Sequence, residues 1–453
     1  MVTTTQTAYG RVQGILMDGY AVYKGIPYAK APVGELRWKM PEQPEKWDGI
    51  RVCDTFGNIA MQRLPDGEQS WSVHFKREFY DNPEFIPPMS EDCLFLNIWT
   101  PAVEAGEKLP VAFWIHGGGF GGGYSSEIEF DGEALAKEGI VLVTINYRCG
   151  AFGFLAHPWL SAESERGISG NYGTFDQIAA LEWVYENISA FGGDPENITV
   201  FGQSAGCMST QVLVSTELTG DRIKKAVLQS GPQAEHPFFA MPTLETEEKY
   251  GERIVEITGA KNIEELRRLP AEALLAAKDQ FDFEIMQKMM SGEDTEGVDF
   301  LRIVPCVDGY LLKKNVYDTY MEGTMRPIPY MAGCVEDDLG TTDADREKKE
   351  PGLIGDNSLQ WCVKQDRIGN PPAYCYLFRH RLPTENGEEI PFHSSELWYS
   401  FGTLSRCWRP MKKEDYELSR IMVKSWAGFI KTGEPGGEWR PCREADPYVK
   451  EFF

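Results

Sequence analysis

Two kinds of hydrophobic pattern alternate along the chain. Short runs dense in Val, Ile, Leu, Phe and Tyr end in glycine or charge: PVAFWIHGG from 110, IVLVTINYR from 140, ITVFG from 198, KKAVLQSG from 224, PIPYMAGC from 327 and PAYCYLFRH from 372. Their length and β-branched content predict strands. Between them the spacing turns helical. TFDQIAALEWVYENIS, residues 174–189, predicts one helix. EDYELSRIMVKSWAGFI predicts another, with Leu418, Ile421, Met422, Trp426, Phe429 and Ile430 on one face packed against the core. Strands that are apolar throughout and separated by helices imply the α/β class, a mostly parallel central sheet with helices on both faces. From about 236 to 300 the pattern is helical without a strand. Phe238, Phe239, Phe281, Phe283, Met286, Met289 and Met290 cluster there, as expected of a helical insertion that caps the core or lines a pocket.

No repeat, low-complexity tract or linker interrupts the 453 residues, and motifs near both ends depend on each other, so the chain reads as one domain, 1–453. A hydrophobic content of 42% supplies a large core and argues against disorder. Charge narrows the partners. With 45 Lys plus Arg against 69 Asp plus Glu, the net charge of −24 repels phosphate backbones and anionic bilayers, so neither nucleic acid nor a membrane is an expected partner. The acidic residues are scattered, as on a solvated surface. The opening MVTTTQTAYGRVQG has neither a basic nor an apolar leader region, which predicts a cytoplasmic location. The ten cysteines show no CxxC or Cys/His spacing, so free thiols are expected, and no metal or cofactor site.

Chemistry concentrates at three places. Gly202-Gln203-Ser204-Ala205-Gly206 follows a β-rich run and precedes a helical one. A serine hydroxyl attacks a carbonyl only if a sharp strand-to-helix turn exposes it between small neighbours, the nucleophile elbow of α/β-hydrolases. WIHGGGF, residues 114–120, ends an apolar run in three glycines whose N–H groups can face a ligand that any Cβ would obstruct. Donors aimed at a developing oxyanion are each worth roughly 100- to 1000-fold in rate. Gly118, Gly119 and Ala205 are the expected donors, with His116 orienting the loop.

The base must be a histidine, and in α/β-hydrolases the triad runs Ser, acid, His. Of six histidines, His74, His116 and His157 precede the serine. His236 comes soon after a strand, before the remaining strands at 327 and 372, and His380 ends a strand. That leaves His393, in the following loop. An acid in between, after a strand, would hold the imidazole. PYMAGCVEDDLG offers Glu336, Asp337 and Asp338, which composition does not rank; Asp308 in VPCVDGYLL is better explained as a turn.

With these motifs assembled the chain resembles the type-B carboxylesterases, the family that includes the cholinesterases, in its bacterial-type form. FGGDPENITVFGQSAG matches that family's serine signature and EDCLFLNIWTP, residues 91–101, its second one. GIPYAKAPVGELRW, NYRCGAFGFL, GNYGTFDQIAALEWV and HSSELWYSFGTL extend the likeness over nearly the whole chain. The resemblance implies an α/β-hydrolase fold and serine-esterase activity. Alignment on the family's Gly-x-x-x-Asp-Glu-Gly pattern from Gly333 puts Asp338 on the acidic position, with Asp for the usual Glu and Leu339 for the glycine. The likeness also implies an Arg37–Glu91 ion pair, and an unpaired Cys93, because Ala60 stands where secreted members place its partner. It implies an active-site-mouth loop at about 62–90, with Trp71, Phe75, Phe79, Tyr80 and Phe85 available for contacts. Gln203 replaces the glutamate of cholinesterases, and their choline-binding tryptophan segment has no counterpart. The expectation is therefore hydrolysis of small to medium uncharged esters, small molecules, through an acyl-enzyme. Two alternatives are a silent cholinesterase-like binding protein and the same site acting on amides, thioesters or carbonates.

Overall fold

Every one of the six apolar runs becomes a strand of one ten-stranded sheet in the computed structural model, which describes residues 1–67, 70–237, 239–291 and 302–453. Phe238, the end of the 236–300 insertion and the side chain of Trp71 lie outside the described residues. In chain order the strands are β1 (Ile15–Leu16), β2 (Ala21–Pro27), β3 (Phe95–Thr100), β4 (Leu109–Ile115), β5 (Val141–Ile145), β6 (Gly193–Gln203), β7 (Ile223–Gln229), β8 (Tyr330–Val335), β9 (Ala373–Phe378) and β10 (Val449–Phe452). Across the sheet they lie β10-β9-β8-β7-β6-β4-β5-β3-β2-β1. From β10 to β5 all neighbours are parallel; β3, β2 and β1 continue antiparallel at one edge.

Because side chains alternate across a strand, an uninterrupted apolar run feeds both faces of the sheet. Val111, Phe113 and Ile115 of β4 enter one core with Val141, Val143, Ile198, Val200 and Leu228. Ala112 and Trp114 enter the other with Leu142, Phe201 and Val227. Helices α1 (Tyr172–Asn187) and α2 (Ala205–Ser215) cover the first face, joined by α3 (Leu244–Thr258) and α4 (Ala271–Ser291) from the 236–300 region. Helix α5 (Lys413–Thr432) covers the second through Leu418, Met422, Trp426, Phe429 and Ile430. Trp114 is held there edge-on to the rings of Phe130 and Phe401 and tilted against Phe201, with centroids 4.7–5.0 Å away.

Two expectations about packing are corrected. Ile421 is 53% exposed and leaves the α5 stripe, because its neighbour Met422 already faces the sheet and 100° of rotation turns Ile421 outward. In α4, Phe281 and Ile285 are buried and Phe281 packs on Tyr250 of α3, but Phe283, Met286, Met289 and Met290 are exposed. One face of α4 meets α3, so the apolar residues beyond that face gain no cover from the described residues.

The segment after residue 62 carries a short helix, Ser70–Phe75, and a π-helical turn, Lys76–Tyr80. Phe79 stacks on Trp398 with centroids 5.8 Å apart. Beneath it Glu78 is buried and receives hydrogen bonds from Arg409 Nε (3.0 Å), Trp398 Nε1 (3.1 Å) and Trp408 Nε1 (2.9 Å). A second buried pair, Arg148–Asp176, is bidentate at 2.8 and 2.7 Å and fastens the loop after β5 to α1. Arg37 pairs with Glu91, as the resemblance implied. All ten cysteines are free, Cys93 included. Among the described residues no helix is long and apolar enough to cross a membrane.

Candidate active site

In a parallel sheet the loops that leave the C-terminal strand ends share one edge, where α/β proteins bind ligands. Four such loops carry the residues singled out in the sequence: His116 to Gly123 after β4, Ser204 after β6, Asp338 after β8 and His393 beyond β9.

Ser204 has φ 58° and ψ −125°, a backbone conformation that a non-glycine residue adopts only when its surroundings force it. The surroundings are the small residues of the motif. A Cβ at Gly206 would lie 2.1 Å from the Ile115 carbonyl oxygen, and one at Gly202 would lie 2.4 Å from the Gly206 backbone. Glycine at both positions lets β6 turn into α2 against β4. The Ser204 N–H is tied to the Gln229 carbonyl at 2.9 Å, which extends the ladder to β7 through the turn.

Gly118 and Gly119 both have positive φ, 100° and 59°. A Cβ at Gly118 would meet the Gly122 carbonyl oxygen at 2.3 Å, so the tight loop requires glycine there. The N–H groups of Gly121 and Gly122 close the loop on the Gly118 carbonyl at 3.0 and 3.1 Å. Among the described residues no backbone carbonyl takes the N–H of Gly118, Gly119 or Ala205. Ala205 is the first residue of α2, where the helix dipole adds positive potential. His116 stacks on Tyr147, centroids 4.2 Å apart, and its Nδ1–H donates to the Gly117 carbonyl at 2.9 Å. Burial pushes its pKa down to about 4, so it holds the loop as a neutral ring.

The three neighbouring carboxylates part company. Glu336 turns to Arg381 (2.9 Å) and Arg379 (3.5 Å), and Asp337 to Arg346 (2.9 Å). Asp338 alone reaches His393, with Oδ1 2.5 Å from Nδ1. The N–H groups of Leu339 (2.8 Å, to Oδ1) and Val335 (3.2 Å, to Oδ2) also donate to it. Burial opposes its charge, yet His393, with the nearby Ser230 hydroxyl and the Leu339 N–H, holds its pKa below the ordinary carboxylate value. The other histidines lie elsewhere: His380 bonds Asp415 at 2.7 Å, His157 caps a helix, and His236 bonds Asn357 through its backbone. Asp308 accepts from the N–H groups of its own turn.

Two neighbours of the site were not singled out for it. Glu396, three residues after His393, is fully buried, and burial together with nearby Asp338 raises its pKa to about 7. Gln203 is buried with its side-chain nitrogen 3.2 Å from His393 Nε2. The spacing His-x-x-Glu in HSSELW was the available signal for the first; Gln203 adjoins the motif serine and drew attention only as a charge difference. A cavity of about 260 Å³ lined by His74, Arg77, Glu389, Trp408 and Arg409 lies against Phe392, and none of the candidate site residues lines it.

Solved structures share this architecture. A thermophilic pNB esterase superposes with a TM-score of 0.81 at 28% identity, covering 100% of this chain and 96% of that one. The carboxylesterase EST55 of Geobacillus stearothermophilus gives 0.78 at 33% identity, covering 99% and 96%. The protein is therefore an α/β-hydrolase. The model of the carboxylesterase family matches residues 1–353 and 353–451. Fumonisin B1 esterase of Sphingopyxis macrogoltabida is 38% identical over 95% of this chain and 82% of its own. Para-nitrobenzyl esterase of Bacillus subtilis is 33% identical over 96% and 91%. The chain belongs to the carboxylesterase family and is a serine carboxylic ester hydrolase.

Proposed function

We propose that Ser204, His393 and Asp338 form the triad and that the N–H groups of Gly118, Gly119 and Ala205 form the oxyanion hole. The observation that carries this reading is the Asp338–His393 contact at 2.5 Å on the same sheet edge as the strained Ser204 elbow. A carboxylate only accepts, so Asp338 fixes the proton on Nδ1 and leaves Nε2 as the basic nitrogen.

Ser204 Oγ attacks the ester carbonyl carbon and passes its proton to His393 Nε2, and the carbonyl oxygen takes the charge beneath the three N–H donors. Collapse breaks the acyl C–O bond, and His393 returns the proton to the departing alcohol. Water, deprotonated by His393, then attacks the acyl-enzyme, and the carboxylic acid leaves with Ser204 restored. No step calls on a cofactor or metal.

Small to medium uncharged esters suit this site, because the residue beside the nucleophile is neutral Gln203 and offers a cationic alcohol no ion pair. The names of the relatives, which span fumonisin B1 and para-nitrobenzyl esters, agree with a site that fixes the reaction and leaves the molecule to surrounding loops. Ten free cysteines support a reducing, cytoplasmic location. Hydrolysis of p-nitrophenyl butyrate by purified wild type and by Ser204→Ala tests the reading. Turnover by wild type and at least a roughly thousandfold loss in the variant is expected; a variant with wild-type turnover overturns the assignment.

A further inference from the structure

His393 Nδ1 faces a carboxylate that cannot donate, so in the neutral ring that acts as base the Nε2 presents a lone pair, and any group within bonding distance of that lone pair must donate to it. Gln203 lies there, 2% exposed, with its carboxamide nitrogen at 3.2 Å. Its Oε1 points toward the glycine loop, where a Cβ at Gly117 would come within 3.2 Å of it and of Ser204 Cβ. Among the described residues no hydrogen bond joins Ser204 Oγ to His393. From this arrangement we infer that Gln203 is a positioning residue that latches the base. In the free enzyme its N–H occupies the lone pair that Ser204 needs, and the serine engages His393 only when a bound ester displaces the amide. The inference rests on the roles proposed for Ser204 and His393.

Such a latch acts twice. It competes with Ser204 for Nε2, and it opposes protonation, because a donor to the neutral ring favours the neutral form. Removing the donor therefore raises the reactivity of Ser204 and moves the acid limb of the pH profile upward, both by the same factor. For one net hydrogen bond that factor is about 2- to 13-fold, or about 0.4 to 1.1 pH units. The titratable and charged groups around the ring are Asp338 at Nδ1, Glu396 on the following turn and, beyond Phe392, His74 and Arg409. All are common to wild type and variants at residue 203, so their own titration does not distinguish them.

The test is inactivation of the full chain by diisopropyl fluorophosphate from pH 5 to 9. In that step Ser204 Oγ forms a bond to phosphorus, the P–F bond breaks, fluoride leaves and the serine proton passes to His393. Gln203→Met keeps length without a donor, and Gln203→Leu repeats the change with a second side chain. The expected result is a plateau second-order rate constant about 2- to 13-fold above wild type, with the acid limb displaced upward by the matching amount. A plateau at or below wild type with an unmoved acid limb overturns the latch and leaves Gln203 as packing. Should neither variant fold, ring-¹⁵N-histidine NMR of Ser204→Ala decides, because the serine cannot donate there. A hydrogen-bonded His393 Nε2 supports the latch, and a free acceptor nitrogen overturns it. The two readings fail separately: labelling of Ser204→Ala removes the proposed nucleophile, whereas a silent Ser204→Ala beside Gln203 variants that match wild type removes the latch alone.

Discussion

Replacing Asp338 by Asn tests the acid, and the structure fixes how much should be lost. Oδ1 accepts from two donors, His393 Nδ1–H at 2.5 Å and the Leu339 N–H at 2.8 Å; Oδ2 accepts one, the Val335 N–H at 3.2 Å. An asparagine with oxygen at the Oδ1 position keeps both contacts there and faces a single donor–donor conflict at the longer distance. The reverse orientation sets its NH₂ against Leu339 and forces the wrong imidazole tautomer. The first orientation wins, so the tautomer survives and only the charge is lost. A hydrogen bond to a charged group is worth about 1.5–3 kcal/mol, which predicts a fall in kcat/KM of about 13- to 160-fold at pH 8. A tautomer reversal would cost about 10⁴-fold. The assay is p-nitrophenyl butyrate hydrolysis, normalised to the fraction of enzyme labelled by a fluorophosphonate. Glu336→Gln and Asp337→Asn serve as controls, each expected within about fivefold of wild type, since their arginine partners are partly exposed ion pairs. The reasoning is refuted if Asp338→Asn stays within that range while a control falls further, and its tautomer step is refuted by a loss near 10⁴.

Three further outcomes follow from burial and charge. Asp176→Ala strands the Arg148 guanidinium in the core and should lower unfolding free energy by about 3–5 kcal/mol in urea titrations; a change below about 1 kcal/mol would contradict the buried-pair account. Glu396 takes up a proton more readily in the folded chain, its pKa rising from 4.5 to about 7, so its contribution to stability declines as pH rises through that window and stays constant above it. Glu396→Gln should flatten part of the decline measured by urea unfolding between pH 4.5 and 7, and an unchanged slope would count against the shift. Met422→Ala, at 0% exposure, should cost about 2–5 kcal/mol, and Ile421→Ala, at 53%, within about 0.5 kcal/mol; equal costs would restore Ile421 to the core face.

Which parts of the molecule were legible in the sequence depended on whether the cause was local. The six apolar runs announced strands because parallel strands buried on both faces read as nearly continuous apolar runs; Val141–Ile145 is buried throughout, and its one polar side chain, Thr144, accepts a hydrogen bond from Asn97 Nδ2. Strands toward the two edges of the sheet were harder. β3 lay inside EDCLFLNIWTP, which drew attention as a signature, and β10 has only four residues, two of them charged. Gly202 and Gly206 were readable as small neighbours of a serine, but part of the reason for each, the Ile115 carbonyl oxygen 2.8 and 2.1 Å from where their Cβ atoms would lie, is a tertiary contact. The proposed acid was the least legible. Glu336, Asp337 and Asp338 are chemically alike, and what separates them is their partners: Arg381 and His393, far along the chain, and Arg346, nine residues on from Asp337. The apolar residues of α4 misled for a related reason: periodicity reports that a face exists and not whether a partner covers it. Gln203 was seen as a neutral substitute for glutamate, and its distance to His393 belongs to the fold.

The central claim, an activated nucleophile at Ser204, is tested most directly by intact-mass measurement after fluorophosphonate labelling at neutral pH, followed by peptide mapping. One adduct per wild-type chain, located on Ser204 and absent from Ser204→Ala, is the predicted result. A folded wild type that takes no adduct, or an adduct that persists in Ser204→Ala, contradicts it.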